Sequence, residues 1–136
     1  AADLVTYREL EELKYRYTRA LDHKDWDLFA SCFTDDATAT YGERLSFTGP
    51  DQIVAYMKEN LGTNMITVHQ VHHPEFTVDG GPAVAMTVNQ NLPTASIDGT
   101  IPAGLAVGHG RLSVHALADA GETRWKFSSA RDSMRP

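Results

Sequence analysis

Three side chains in this chain could together move a proton: Tyr17, Asp22 and His69. A neutral imidazole accepts a proton near pH 7, and a carboxylate on its other nitrogen sets the tautomer and stabilises the charged ring. A phenol can donate to an oxygen on which negative charge develops. The three come from separate parts of the chain, so this chemistry needs a fold that closes them around one pocket. Each also has a plain structural reading. His69 could be a half-buried strand histidine bonded to backbone. Asp22, in Asp22-His23-Lys24-Asp25, could cap a following helix, although Asp25 can do that and leave Asp22 free. Tyr17 shares an apolar stripe with Leu10, Leu13 and Leu21, where an aromatic is ordinarily core, and its hydroxyl would need a partner once buried. Five residues separate Tyr17 from Asp22, about 140° around an ideal helix, so they converge only if Asp22 lies past the helix end.

The neighbouring histidines raise the question of a metal. On one strand His69 and His73 would share a face while His72 points away. There is no HExxH-type spacing and no cysteine pair, so no metal is expected, and His73 is placed beside His69 in the same cavity. His109, Arg111, Ser113 and His115 form one polar face, alternating with Leu112 and Val114. That face is a solvated or oligomer surface unless Arg111 or His115 reaches the cavity and holds a substrate oxygen. No phosphate-cradling glycine loop is visible, so no cofactor is expected.

The elements that must position these groups read as follows. A first helix is expected from about Thr6 to Leu21, opened by a Thr6/Glu9 capping box. Asp25 caps a second helix carrying Trp26, Leu28, Phe29, Cys32 and Phe33, and Thr34-Asp35-Asp36 ends it. A short strand follows over Ala37–Tyr41. Thr48-Gly49-Pro50-Asp51 opens a third helix that buries Ile53, Val54, Met57 and Leu61 and stops at Gly62. The period then shifts toward 2. Strands are expected over Met65–His72, continuing through Glu75–Val78 past Pro74, then over Ala83–Asn91, Gly104–Ala118 and Arg124–Arg131. A loop is expected from Leu92 to Ala103. Helices followed by an antiparallel meander make an α+β layout: a cone-shaped α+β barrel, three N-terminal helices on a curved, mostly antiparallel sheet that encloses a cavity.

Composition narrows the function classes. At 136 residues one domain, 1–136, is the default. Net charge is −6 with scattered basic residues, which argues against a nucleic-acid surface. No apolar run approaches the roughly 18 residues of a membrane span, and Asp3, Arg8 and Glu9 interrupt any leader pattern. The lone Cys32 sits on the apolar side of its helix, reads as core, and fits a reducing, cytoplasmic setting.

Several segments in order resemble one superfamily. The helix–break–helix run ending Phe33-Thr34-Asp35-Asp36-Ala37-Thr38 resembles the start of SnoaL-like proteins, within the nuclear-transport-factor-2-like fold. Phe47-Thr48-Gly49-Pro50, His69 with Val78-Asp79-Gly80, Gly110-Arg111-Leu112 and Trp125-Lys126-Phe127 extend the resemblance over nearly the whole chain. The pattern is most similar to the scytalone dehydratase and bile-acid dehydratase branch, which implies an aspartate–histidine pair at Asp22 and His69 assisted by Tyr17. The steroid isomerase branch fits less well, because Thr40-Tyr41 stand where it carries a carboxylate. His73 departs from the asparagine many relatives carry.

The expectation is therefore a cofactor-independent lyase or isomerase, dehydratase-like, acting on a small apolar or aromatic oxygenated substrate. His69 would abstract a proton, Asp22 orient it, and Tyr17 donate to oxygen, with loss of activity below roughly pH 6 expected of a histidine base. Leu13, Phe29, Phe33, Tyr41, Ile53, Met57, His73, Val88, Leu105 and Arg111 would line the pocket. A different class also fits the cavity: a small-molecule-binding or assembly module without chemistry, which would have no need of the trio. A homo-oligomer, dimer or trimer, is expected from the relatives.

Overall fold

A computed structural model describes residues 4–41, 45–78, 83–98, 106–118 and 125–132. Helix α1 spans Leu4–His23 and α2 spans Trp26–Ser31. Strands β1 (Phe33–Tyr41) and β2 (Leu45–Thr48) follow, then α3 (Pro50–Asn60). The rest is β3 (Met65–Thr67), β4 (Gln70–Val78), β5 (Ala83–Ser96), β6 (Ala106–Ala118) and β7 (Trp125–Asp132).

The first helix starts earlier than its capping box suggests, so Thr6 lies inside the first turn. Leu10, Leu13, Tyr17 and Leu21 are all buried, as their spacing requires. The helix ends in a Schellman motif: Asp25 N–H donates to the Ala20 carbonyl at 2.8 Å and Lys24 N–H to the Leu21 carbonyl at 3.2 Å. The left-handed position of that motif usually holds glycine; here Lys24 occupies it with φ 59°. The reversal lets Asp25 cap α2, its carboxylate accepting from Leu28 N–H at 3.2 Å. At the start of α3, Gly49 has φ 84°, a conformation only glycine adopts cheaply, and Pro50 follows in the first turn.

The seven-stranded sheet runs β2-β1-β7-β6-β5-β3, with β4 also on the outer edge of β5. It is mainly antiparallel, but β1 runs parallel to β7. Phe33 pairs with Phe127 and Thr38 with Ser129. Thr34, Asp35 and Asp36 lie in the irregular stretch between, inside a strand that begins at Phe33 where sequence reasoning ended a helix. The sheet is open, with β2 and β3 at its edges, rather than a closed barrel. The expected Leu92–Ala103 loop is strand as far as Ser96, since β5 pairs with β3 up to Met65↔Ser96.

Helices and sheet meet over one core that includes Leu10, Tyr17, Phe29, Phe33, Met86, Val88 and Phe127. Phe29, with no exposed surface, packs its ring 5.0 Å from Tyr17 and 5.2 Å from Phe33. Phe29→Ala is expected to cost about 3–5 kcal/mol, read as a fall in urea midpoint at unchanged m-value. A loss under about 1 kcal/mol would mean that the helices do not rest on this cluster.

Candidate active site

The site begins at the interruption between β3 and β4. Both strands pair with β5 in one register, Thr67↔Thr94 on one side and Gln70↔Asn91 on the other. Val68 therefore stands opposite Pro93, and Val68 N–H donates to the Pro93 carbonyl at 3.2 Å. Proline has no N–H to return that bond, which breaks the ladder at Val68–His69. The next N–H, that of His69, turns away from β5 and donates to Asp22 Oδ2 at 3.0 Å.

Asp22 lies in the last turn of α1, not beyond it. A carboxylate there faces the negative end of the helix dipole, an arrangement with no local benefit. Its partners come instead from the sheet. His69 Nδ1 stands 2.6 Å from Asp22 Oδ1, and the Thr67 hydroxyl donates to the same oxygen at 2.9 Å. Lys24 Nζ donates to Thr67 Oγ1 at 3.4 Å. Burial works to raise the Asp22 carboxyl's pKa, but the His69 ring and backbone N–H, the His69 charge and the Thr67 hydroxyl together hold it below the ordinary value. Burial lowers the pKa of Lys24, partly opposed by the charge of Asp22. An ionised carboxylate only accepts, so the nitrogen facing it, Nδ1, carries a proton, and in the neutral ring the lone pair is on Nε2.

The His69 side chain is only 3% exposed. It lines a cavity of about 340 Å³ together with Tyr17, Leu21, Tyr41, Leu45, Tyr56, Met57, Asn60, Leu61, Gln90 and Leu92. That volume is at the small end of small-molecule sites. The Tyr17 ring has Phe29, Phe33 and Phe127 around it and Lys14 Nζ 3.8 Å from its centroid. Tyr17 and Asp22 thus need not converge. Asp22 holds His69 from behind, and Tyr17 faces the same cavity as His69.

Of the other expected lining residues, Tyr41 and Met57 are at the cavity, with Tyr41 stacked on Tyr56 at 5.5 Å. Phe29, Phe33 and Val88 are not; they pack in the core, as do Leu13 and Ile53. His73 is not brought to the cavity. The β4–β5 register shifts between His72 and Glu75, and the added residue puts His73 at φ 54° and exposed. The bulge cancels the same-face argument for His69 and His73, because it changes which residues point inward. Arg111 pairs in register with Asn89, which is exposed, while the Arg111 side chain and all of Leu105 lie outside the described residues. Sequence reasoning missed Leu21, Leu45, Tyr56, Asn60, Leu61, Gln90 and Leu92 as lining residues. Leu21 and Leu61 carried an available signal, since each belongs to the apolar stripe of its helix, and Tyr56 adjoins Met57. Among the described residues no group of three or more His, Cys, Asp or Glu could hold a metal, and no helix is long and apolar enough to cross a membrane.

Helices sealing one face of a curved mixed sheet, with a cavity between, define the nuclear-transport-factor-2-like α+β cone. The chain belongs to the SnoaL-like domain family, whose model matches residues 2–131. Solved structures with the same fold include a conserved protein from Planctomyces limnophilus (TM-score 0.85, 17% identity, 98% of this chain and 99% of that one). A candidate scytalone dehydratase from Novosphingobium aromaticivorans matches with TM-score 0.82 and 18% identity over 97% of this chain and 84% of its own. LinA matches with TM-score 0.82 and 15% identity over 98% of this chain and 88% of its own. At these identities the likeness is one of fold, and any activity has to be argued from the site.

Proposed function

We propose that this protein is a cofactor-independent lyase or isomerase that removes a proton next to a carbonyl, or on an activated ring carbon, of a small apolar or aromatic oxygenated molecule. The observation that carries this reading is the 2.6 Å contact between Asp22 and His69 Nδ1 behind a cavity that His69 and Tyr17 both line. His69 Nε2 takes the proton from carbon. Asp22 stabilises the imidazolium. Tyr17 donates to the carbonyl oxygen as negative charge builds there, and in a dehydration the β-hydroxyl then leaves as the protonated imidazole returns its proton to it. The apolar walls exclude water and strengthen each of these interactions. A dehydratase-like likeness in fold supports the same class.

The test is proton exchange and elimination on simple compounds. The protein should accelerate exchange of the α-protons of 1-tetralone with D₂O, followed by NMR, and should raise the enone absorbance of a cyclic β-hydroxy ketone. Neither effect over a panel of such ketones would leave a binding module as the better reading. Tyr17→Phe keeps the ring in its aromatic cluster and removes only the hydroxyl. The exchange rate should fall about 10²–10³-fold, with thermal stability nearly unchanged. An unaltered rate would remove Tyr17 from the chemistry.

A further inference from the structure

Gln90 is 4% exposed, lines the cavity, and its carboxamide Oε1 is buried with no hydrogen-bond partner among the described residues. Its surroundings explain why. Across β4 it pairs with Val71, and across β6 with Gly110, so one neighbour is aliphatic and the other has no side chain. Leu92, the next inward residue on β5, pairs with Gly108. Neither cross-strand partner of Gln90 carries a side-chain donor, and among the described residues Oε1 has no partner. His69 falls opposite Leu92 in the shared β4–β5 register, which makes Gln90 its diagonal neighbour on the inner face, about 7–8 Å away between backbones. Both side chains line the same cavity, so one small ligand can meet both.

A buried carbonyl oxygen left unpaired is costly. Solvent can satisfy it while the cavity is wet, but a ligand that expels solvent must supply a donor of its own. We propose that Gln90 is the specificity-determining residue of the cavity and accepts a hydrogen bond from a hydroxyl on the ligand. This rests on the reading of the cavity given above. The hydroxyl concerned is one that does not react. Departure of a hydroxyl is helped by donation to its oxygen, and Gln90 Oε1 can only accept. The substrate class is thereby narrowed to cyclic ketones or phenols that carry a second, spectator hydroxyl across the ring from the carbon facing His69. A site built this way discriminates strongly against analogues lacking the hydroxyl, because they leave its polar atom unpaired.

The test is binding of 1-tetralone and its 5-, 6- and 7-hydroxy derivatives, measured by isothermal titration calorimetry. None of these can eliminate water, so binding is read without turnover. At least one hydroxy derivative should bind wild type about tenfold tighter than 1-tetralone. Gln90→Met, similar in shape and without the acceptor, should erase that preference while 1-tetralone binds at least as well as before. Gln90→Glu, which keeps an acceptor oxygen, should preserve it; this second variant guards against a fold defect in the first. A hydroxyl preference that survives Gln90→Met, or its absence in a wild type that binds 1-tetralone, overturns the role of Gln90 alone. Failure of wild type to bind any of the four compounds overturns it together with the reading of the cavity.

Discussion

His69→Gln should reduce α-proton exchange on 1-tetralone, and dehydration of any ketone that proves a substrate, by at least about 10²–10⁴-fold. Glutamine fills similar space and keeps a donor that can reach Asp22 Oδ1, now 2.6 Å from the imidazole nitrogen. What it lacks is a basic nitrogen at the position of Nε2. Ligand affinity should therefore stay within a few-fold of wild type, because the apolar walls and Tyr17 are untouched. In a binding module without chemistry the same substitution would alter affinity and there would be no rate to lose. A variant that keeps wild-type exchange would mean that another group takes the proton. One that loses binding and rate together would make His69 a ligand contact and not a base.

Asp22→Asn should have the second largest effect, and in two separable ways. An amide oxygen at the place of Oδ1 still accepts from the Thr67 hydroxyl and, at 3.3 Å, from the His69 backbone N–H, while the bond to Oδ2 is lost. It removes the negative charge that fixes the imidazole tautomer and stabilises the imidazolium. The rate should fall about 10²–10⁴-fold, as when an orienting carboxylate is neutralised behind other catalytic histidines. Stability should fall by about 1–3 kcal/mol, since charge-assisted hydrogen bonds become neutral ones. The pH dependence has a definite sign. The Asp22 carboxyl is held below its ordinary value in the folded protein, so its stabilising contribution is complete above the unfolded value of about 4 and is lost as pH falls through the lower native value. Urea unfolding of wild type and Asp22→Asn should show a gap that narrows on acidification below about pH 4. A gap independent of pH would mean that the carboxylate gains nothing from His69.

Much of this was legible in order along the chain. Local rules placed the break between the first two helices: Asp25 has capping chemistry, and the apolar stripe Leu10, Leu13, Tyr17, Leu21 fixes which face is buried. Gly49-Pro50 opened α3 for reasons contained in those residues. The pairing of Asp22 with His69 was approached through resemblance, and its geometry was not. Asp22 can meet Tyr17 only from past the helix end, whereas the fold keeps it in the last turn and brings His69 to it from the sheet.

Residue types, periodicity and capping are local, and by themselves they determined the α+β class, the order of the helices and strands, and Tyr17, Asp22 and His69 as candidates beside their plain structural readings. The tertiary structure decided what depends on pairing between distant strands and on how far the helices stand from the sheet. The bulge at His73 exists because β4 and β5 slip by one residue, and a one-residue slip reverses inside and outside. Phe29, Phe33 and Val88 are as apolar as Tyr41 and Met57, yet they fill the core while the latter two border open space, because depth between helix and sheet is not encoded in any one segment. Strand alternation puts Gln90 on the face of Val88, but only its register opposite Val71 and Gly110 makes that glutamine a buried acceptor facing the cavity.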